Sequence, residues 1–242
     1  MRLSKLLIVL LAFAWTLPAF ADATLTTHSY DLTTGSLADQ LGNGPSLQSY
    51  GGSFGPNGYS FTKNNSLSLT GAVDPNNYSV EMVFSADSVS GWVKLFDFKN
   101  LTSDNGVYLC NGRVYFYQYG PSDGFVTANT SNDLIITRDG STKMVNLYLN
   151  NVNIWSFVDS WSFAVLSQND LYFMHDDNAT GGRESAPGTI KLIRTYDGAL
   201  NQAQVNFVDA DGRILTRAPE PATLALVGFG LAAVALRKRR AK

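Results

Sequence analysis

Cysteine and histidine are scarce in this sequence. The 242 residues include one cysteine, Cys110, and two histidines, His28 and His175. A single cysteine excludes an intrachain disulfide, so the free energy of folding must come from burial of apolar side chains. Cys110 lies in a strand-like run and is predicted to be a small buried hydrophobe. Two distant histidines and no cysteine pair exclude the common zinc motifs.

Charge is also low, and it is unevenly distributed. Between residues 22 and 218 the chain has 11 Lys and Arg against 19 Asp and Glu, a net charge of −8, whereas both ends are basic. A nucleic-acid partner requires a basic footprint, which this acidic middle lacks. We therefore expect no nucleic-acid partner.

Glutamate is nearly absent from the same middle part, where only Glu81 and Glu184 occur. A retaining glycosidase needs two carboxyl groups about 5 to 5.5 Å apart. The sole acidic pair at positions i and i+2 is Asp209 with Asp211, in a predicted turn. The sequence thus predicts no catalytic residues, and we expect a protein that is not an enzyme.

The two ends of the chain carry targeting patterns. Residues 1–21 predict a secretory signal peptide, with Arg2 and Lys5 before an apolar core and an Ala-Phe-Ala cleavage pattern that ends at Ala21. At the other end, an uncharged run at 222–236 is followed by a basic cluster. As a helix this run reaches about 22 Å, short of the ~30 Å hydrocarbon core of a bilayer. It predicts a marginal single membrane helix with its basic end in the cytoplasm. The basic residues are Arg237, Lys238, Arg239 and Arg240.

Pro219, Glu220 and Pro221 precede this run, and the order of tripeptide, short apolar helix and basic cluster resembles the PEP-CTERM sorting signal. The resemblance implies an exosortase-type processing enzyme as partner, the inner membrane of a Gram-negative bacterium as a transient anchor, and a host that makes exopolysaccharide. An ordinary single-pass anchor with incidental prolines is the alternative. The chain is then divided into a signal peptide (1–21), an exported domain (22–217) and a sorting segment (218–242).

The exported domain shows short alternating runs separated by Gly, Asn, Asp and Ser, which is typical of an all-β sandwich. In 78–84, Val80, Met82 and Phe84 share one face, as in a half-buried strand. In the next run, Trp92, Phe96 and Phe98 are predicted to share a face. Asn111-Gly112, Asp139-Gly140 and Asn150-Asn151 predict tight hairpins, and Asn201 predicts the N-cap of a short helix.

Three of these runs, DFKN with SDNGVYL (97–109), LYLNN (147–151) and IKLIRTYDGAL (190–200), resemble a laminin-G-like domain of the concanavalin A-like superfamily. The resemblance covers about 27–208. It implies an all-β, two-sheet antiparallel jelly-roll sandwich. The predicted signal peptide precedes this domain, and the single predicted membrane helix follows it. This superfamily includes both glycan binders and glucanases.

Two groups of residues are candidates for ligand binding. Tyr115, Tyr117 and Tyr119 are predicted to share the strand face opposite Phe116 and could stack on sugar rings, with Trp155 and Trp161 as further candidates. Packing in the core explains these aromatic residues equally well.

The second group is an acidic loop in which Asp176, Asp177 and Glu184 offer oxygen ligands of the kind calcium prefers. The alternative is a loop whose Asp and Asn side chains bond to their own backbone. Calcium is therefore an expectation, and no other cofactor is expected.

Together these patterns predict an exported cell-surface or exopolysaccharide-matrix protein with a non-catalytic module that binds glycan or protein. A structural matrix protein without a discrete ligand, and a glucanase-like enzyme, are the alternatives.

Overall fold

The structure, a computed structural model, describes residues 26–206 and residue 208. The predicted signal peptide (1–21), the acidic pair at 209 and 211, and the sorting segment (218–242) with its helix at 222–236 lie outside these residues. The described residues belong to one compact unit, 24–216. Within them, no helix is long and apolar enough to cross a membrane.

The described chain is all-β, as predicted, with two antiparallel sheets. The strands are β1 (Thr26–Asp31), β2 (Gln48–Ser49), β3 (Ser53–Gly55), β4 (Gly58–Phe61), β5 (Leu67–Thr70), β6 (Tyr78–Ala86), β7 (Trp92–Asp97), β8 (Gly106–Cys110), β9 (Arg113–Phe116), β10 (Gly120–Phe125), β11 (Asn132–Arg138), β12 (Met144–Leu149), β13 (Val152–Val158), β14 (Asp170–Phe173) and β15 (Gly188–Asp197). A 3₁₀ turn (Leu32–Thr34) follows β1, and helix α1 (Gln202–Val205) follows β15.

Sheet I has the order β13-β12-β11-β6-β15-β4-β3, and sheet II has the order β10-β9-β8-β7-β14-β5-β2. The long strand β15 pairs with β6 from Gly188 to Asp197, and its other edge is shared by β4 and β1. Neighbours in each sheet are often distant in the sequence, so the loops between strands cross from one sheet to the other. These loops carry most of the candidate site residues.

The core lies between the two sheets and follows the alternation of the strands. Val80, Met82 and Phe84 of β6 point into it, as predicted, and are at most 1% exposed. Phe98 stacks against Phe96 and Phe116, with ring centroids 6.2 and 6.0 Å away. Burial of such side chains supplies about 25 cal/mol per Å² of apolar surface, which a domain without disulfides requires.

The three predicted hairpins are present, and asparagine explains two of them. The Asp139-Gly140 connection is a longer loop, 139–143, between the paired strands β11 and β12. Asn111 and Gly112 have φ of 50° and 83° between β8 and β9, and Asn150 and Asn151 have φ of 50° and 66° between β12 and β13. Asparagine tolerates the left-handed region, so both turns close without strain. The predicted N-cap is also confirmed, because Asn201 forms a capping box with Gln204 at the start of α1.

Two predictions, one about the direction of a side chain and one about burial, are wrong. The pairing of β7 with β8 shifts register between Lys94 and Phe96, so Trp92 points away from the core that holds Phe96 and Phe98. A bulge of this kind reverses the alternation of the strand. Cys110 is a free thiol that is only half-buried, because it pairs with Arg113 at the exposed end of β8. The prediction of a fully buried side chain is therefore wrong.

Candidate ligand-binding surface

Five aromatic side chains, the Trp161 cluster, gather where the edge strands β13 and β10 approach each other. The cluster consists of Tyr119, Trp155, Phe157, Trp161 and Phe163. Trp161 stacks on Tyr119 with ring centroids 5.6 Å apart and an interplanar angle of 20°. The Tyr119 ring centroid also lies 4.4 Å from that of Phe157, which packs against Trp155. Trp161 is 66% exposed, so its ring is supported from below and open to solvent.

A buried carboxylate, Asp159, holds this stack in place. Its Oδ1 accepts hydrogen bonds from the Tyr119 hydroxyl at 3.0 Å and from the Phe163 amide at 2.7 Å. Its Oδ2 accepts from Arg138 Nε at 2.9 Å and from the Ala164 amide at 3.2 Å. Burial, and then the hydrogen bond to Asp159, raise the pKa of Tyr119, so its hydroxyl remains a donor. The aromatic surface is therefore preorganised.

The chemical capacity of this surface is stacking. An exposed indole on a rigid aromatic support presents a flat apolar face to the C–H groups of a sugar ring or to an apolar side chain of a protein. Tyr119, Trp155 and Phe157 are partly buried and packed against the core. Among the predicted ligand residues in this cluster, Trp161 therefore has the geometry of a platform, and Tyr119 and Trp155 support it.

Tyr115 and Tyr117 belong to a different surface, the Trp92 cluster, on the outer face of sheet II. Trp92 lies edge-on to both rings, with centroids 5.1 and 5.5 Å away, and also contacts Tyr108 at 5.8 Å. The prediction that Tyr119 shares their face is wrong, because β9 ends at Phe116 and the chain turns before Tyr119. Since Tyr117 is 38% exposed, this cluster offers less open ring surface than Trp161 does.

A groove between three loops offers polar groups and little else. It is lined by Asp74, Asn76, Asn77, Asp139, Gly140, Ser141 and Ala199. Asp74 accepts hydrogen bonds from the amides of Asn76 and Asn77, and Asp139 accepts from those of Ser141 and Thr142. These carboxylates are used to shape their own turns, so the groove is a weaker candidate than the Trp161 cluster.

The predicted calcium loop folds over the outer face of sheet II, where its members separate into two roles. Asp177 is fully buried and forms an ion pair with Lys94 of β7. The Tyr108 hydroxyl donates to the same oxygen of Asp177 at 3.1 Å, and the Ala179 amide donates to the other at 2.7 Å. Burial acts to raise the pKa of Asp177, but the bond and charge of Lys94 outweigh it and lower the pKa. Both oxygens of Asp177 are thus committed within the protein.

Asp176 and Glu184 keep free coordination capacity. Asp176 Oδ2 accepts from the Glu184 amide at 2.8 Å and from the Thr180 hydroxyl at 2.9 Å. Asp176 Oδ1, Glu184 Oε2 and Asp104 Oδ1 are buried without a hydrogen-bond partner. Burial, followed by neighbouring carboxylates, raises the pKa values of Glu184 and Asp104. Among the residues described, however, no group of three or more His, Cys, Asp or Glu side chains is arranged to hold a metal ion.

The remaining titratable group of this loop is His175. Its ring packs 4.8 Å from that of Tyr50 and 5.8 Å from that of Tyr172. Burial lowers the pKa of His175, so the neutral imidazole is favoured. His175 is therefore part of an aromatic contact.

Four important residues were not predicted from the sequence, and of these only Lys94 had a local signal. Lys94 is the one basic residue of the mostly apolar strand β7. Asp104 and Asp159 cannot be distinguished in the sequence from other loop carboxylates. Trp92 was expected in the core. A charged residue inside an otherwise apolar strand could have indicated a buried partner, because such residues are rarely buried unpaired.

Comparisons with solved structures show the fold. Domain 4 of AbnA, a GH43 extracellular arabinanase from Geobacillus stearothermophilus solved with arabinotriose, is similar with a TM-score of 0.58 and 18% identity over 76% of this chain and 98% of that domain. The binding domain of botulinum neurotoxin serotype D gives 0.55 and 13%, over 77% of this chain and 51% of that one. Trypanosoma rangeli sialidase gives 0.55 and 12%, over 75% and 31%. No curated protein sequence matches the chain.

One family model matches the chain, and it matches the C-terminal segment. Residues 217–240 fit the PEP-CTERM protein-sorting motif. The match includes the tripeptide at 219–221 and the basic cluster at 237–240. The motif implies recognition by an exosortase and export to the cell surface. This chain therefore carries a PEP-CTERM sorting motif behind an all-β sandwich.

Proposed function

We propose that this chain is an exported, exosortase-processed protein of the cell surface or exopolysaccharide matrix whose sandwich is a non-catalytic module that binds glycan or protein. The short apolar run at 222–236 holds it in the inner membrane of a Gram-negative bacterium until processing. The basic cluster at 237–240 keeps that end in the cytoplasm. The sandwich then faces the compartment where polysaccharide is assembled.

The observation that carries the binding role is the exposed Trp161 ring stacked on Tyr119. The Trp161 ring is 66% exposed and contacts two further aromatic side chains, Tyr119 and Phe163, and contiguous exposed apolar surface marks interaction sites. Asp159 and Arg138 hold its support rigidly, which reduces the entropy lost when a ligand binds. Glycan is the ligand we favour, because a flat ring beside the polar residues Ser160 and Ser162 suits a sugar better than a wholly apolar partner.

The experiment is a glycan array probed with the protein purified from the cells that export it. We expect retention on a subset of polysaccharides, and Trp161→Ala should weaken the binding at least about tenfold, as for a central aromatic contact. Phe125→Ala is the matched control, because Phe125 is 64% exposed but lies outside the Trp161 cluster. It should leave binding unchanged.

Other outcomes assign the alternatives. No retention on any polysaccharide, with Trp161 intact, would favour a structural matrix protein without a discrete ligand. Release of sugar from β-glucans would overturn the non-catalytic assignment. Equal losses in the Trp161 and Phe125 variants would remove the platform from the proposal.

A further inference from the structure

Lys94 and Asp177 form a pair that is unusual even for a buried salt bridge. Both side chains are fully buried, and Lys94 Nζ contacts Asp177 Oδ2 directly. The two residues come from different parts of the chain, Lys94 from β7 and Asp177 from the loop after β14. The backbone fixes both sides, since the Lys94 amide donates to the Glu184 carbonyl at 2.8 Å and the Met174 amide donates to the Leu95 carbonyl at 2.8 Å.

The groups around this pair match the needs of amide formation. Asp97 Oδ2 lies 2.7 Å from Lys94 Nζ as a second ion-pair partner, and Nζ also donates to the Ser103 carbonyl at 3.1 Å. The Ala179 amide donates to Asp177 Oδ1 at 2.7 Å, where negative charge would develop during attack on the carboxyl carbon. The Tyr108 hydroxyl donates to Asp177 Oδ2 at 3.1 Å, where a leaving oxygen needs a proton donor. The ring of Tyr108 also lies 5.1 Å from the ammonium.

We propose that Lys94 and Asp177 condense spontaneously in the folded protein to form an intramolecular isopeptide bond. The ammonium of Lys94 passes one proton along its hydrogen bond to Asp177 Oδ2, and the neutral amine then attacks Cγ of the protonated carboxyl to form the C–N bond. The Cγ–Oδ2 bond then breaks. Of the three protons on the original ammonium, one remains on the amide nitrogen and two leave with Oδ2 as water, so neither an oxidant nor an external reactant is needed.

Two physical effects favour this reaction in the folded chain. Holding both groups in contact replaces an encounter in solution by an effective concentration of about 10⁵ M or more. The product is a neutral amide, so the reaction also removes two charges whose burial is costly. Gly106 keeps the approach open, because a Cβ there would lie 3.1 Å from Lys94 Cε and 2.2 Å from the Phe96 carbonyl oxygen.

The other buried ion pairs of the described residues lack this chemistry. Arg138 pairs with Asp159 and Arg194 pairs with Glu81, and a guanidinium stays protonated and is a poor nucleophile. Lys99 is partly buried, but its Nζ donates to the carbonyls of Ser162 and Val165. Within the described part, Lys94 is thus the lysine that is both buried and in contact with a carboxylate. A covalent bond here would tie the loop to β7 in a domain whose one cysteine cannot do so.

The test is a peptide map of the natively exported protein by mass spectrometry after trypsin digestion. We expect no cleavage after Lys94 and a branched peptide that contains both Lys94 and Asp177, lighter than its two parts by one water. Hydroxylamine should leave this peptide intact, whereas it would cleave a succinimide formed at Asp177. In Lys94→Arg the two peptides should separate at full mass, because the charge is kept but the amine is lost.

Recovery of the Lys94 and Asp177 peptides only as separate species of full mass would overturn the proposal, and this result needs no variant. A dehydrated Asp177 peptide that persists in Lys94→Arg would overturn it as well, since the water would then be lost without the amine. The binding role of Trp161 is independent of either result.

Discussion

Two of the buried charge clusters in the described residues lie on opposite outer faces of the sandwich, and they are built differently. The lysine cluster on sheet II joins Lys94 to the carboxylates of Asp97 and Asp177. The arginine cluster on sheet I joins Arg194 to Glu81 at 3.3 Å, with the Tyr196 hydroxyl donating to the same carboxylate. One centre is an amine and the other is a guanidinium.

Their surroundings differ as well. The lysine cluster lies under a polar loop that contributes Asp177 and places Asp176 and Glu184 nearby. Beside the arginine cluster, Tyr196 packs in a small apolar cluster with residues of β11, β12 and the α1 region, which are Ile135, Tyr148, Leu200, Val205 and Val208. The difference indicates that the arginine cluster is a static support for the end of the sandwich. The lysine cluster combines a nucleophile, an electrophile and proton carriers.

The largest expected effect comes from removing either cation. Lys94→Met and Arg194→Met should each lower the free energy of unfolding by about 3–5 kcal/mol, because a buried carboxylate loses its counter-charge. Lys94→Met should cost more, since it leaves the buried carboxyls of Asp97 and Asp177 without their amine and also removes the proposed isopeptide bond. Denaturant titration measures both values.

Lys63→Met is the control for this comparison, because Lys63 is exposed and should change stability by less than about 0.5 kcal/mol. If Arg194→Met were the more damaging substitution, the number of stranded carboxylates would not determine the cost. The difference in stability between the two variants would then have a cause other than the number of carboxylates around each cation.

A smaller effect is expected from Asp133, next to the arginine cluster. Its carboxyl is 5% exposed, and neither oxygen has a hydrogen-bond partner within the part of the chain described. Burial, and then the charge of Glu81, raise the pKa of Asp133 to about 8, against 3.8 in the unfolded chain. Between these values the folded protein holds one proton more than the unfolded one, so stability falls as pH rises from about 4 to about 8.

Asp133→Asn should remove this loss, because the amide copies the protonated carboxyl and cannot ionise. Relative to the native protein, the variant should gain ~1–3 kcal/mol between pH 5 and pH 8. Denaturant titrations at the two pH values measure the gain. Asp123→Asn, at a side chain that is 95% exposed, should show none. A variant that loses stability as pH rises just as the native protein does would mean that Asp133 is ionised at pH 5.

The strand pattern and the turns were predictable because they depend on local chemistry. Alternation placed Val80, Met82 and Phe84 in the core, and asparagine set two hairpins by tolerating positive φ. β10 was missed because Gly120 and Pro121 argue against a strand, yet proline is accepted there since β10 is an edge strand that pairs only with β9. The bulge in β7, which turned Trp92 outward, has no local signal.

The candidate sites were predictable only in part, because they depend on contacts between distant residues. The aromatic residues were recognised as candidates, but their division into two surfaces depends on where β9 ends. The acidic loop was recognised too, but the lysine that pairs with Asp177 lies 83 residues earlier in the sequence. No spacing rule relates such distant residues. The sequence could therefore indicate Asp177 as a calcium ligand, but it could not indicate Asp177 as the ion-pair partner of Lys94.

The smallest expected effect is that of calcium. It tests whether the acidic loop keeps carboxylate oxygens that Lys94 does not contact. With Asp177 committed, the oxygens left for a cation are those of Asp104, Asp176 and Glu184, which are not arranged as a preformed metal site in the described part of the chain. We expect millimolar calcium to raise Tm by about 2–4 °C, and Asp176→Ala to abolish the rise. Magnesium should act less, since it demands stricter geometry and keeps its water. An unchanged Tm would end the calcium prediction.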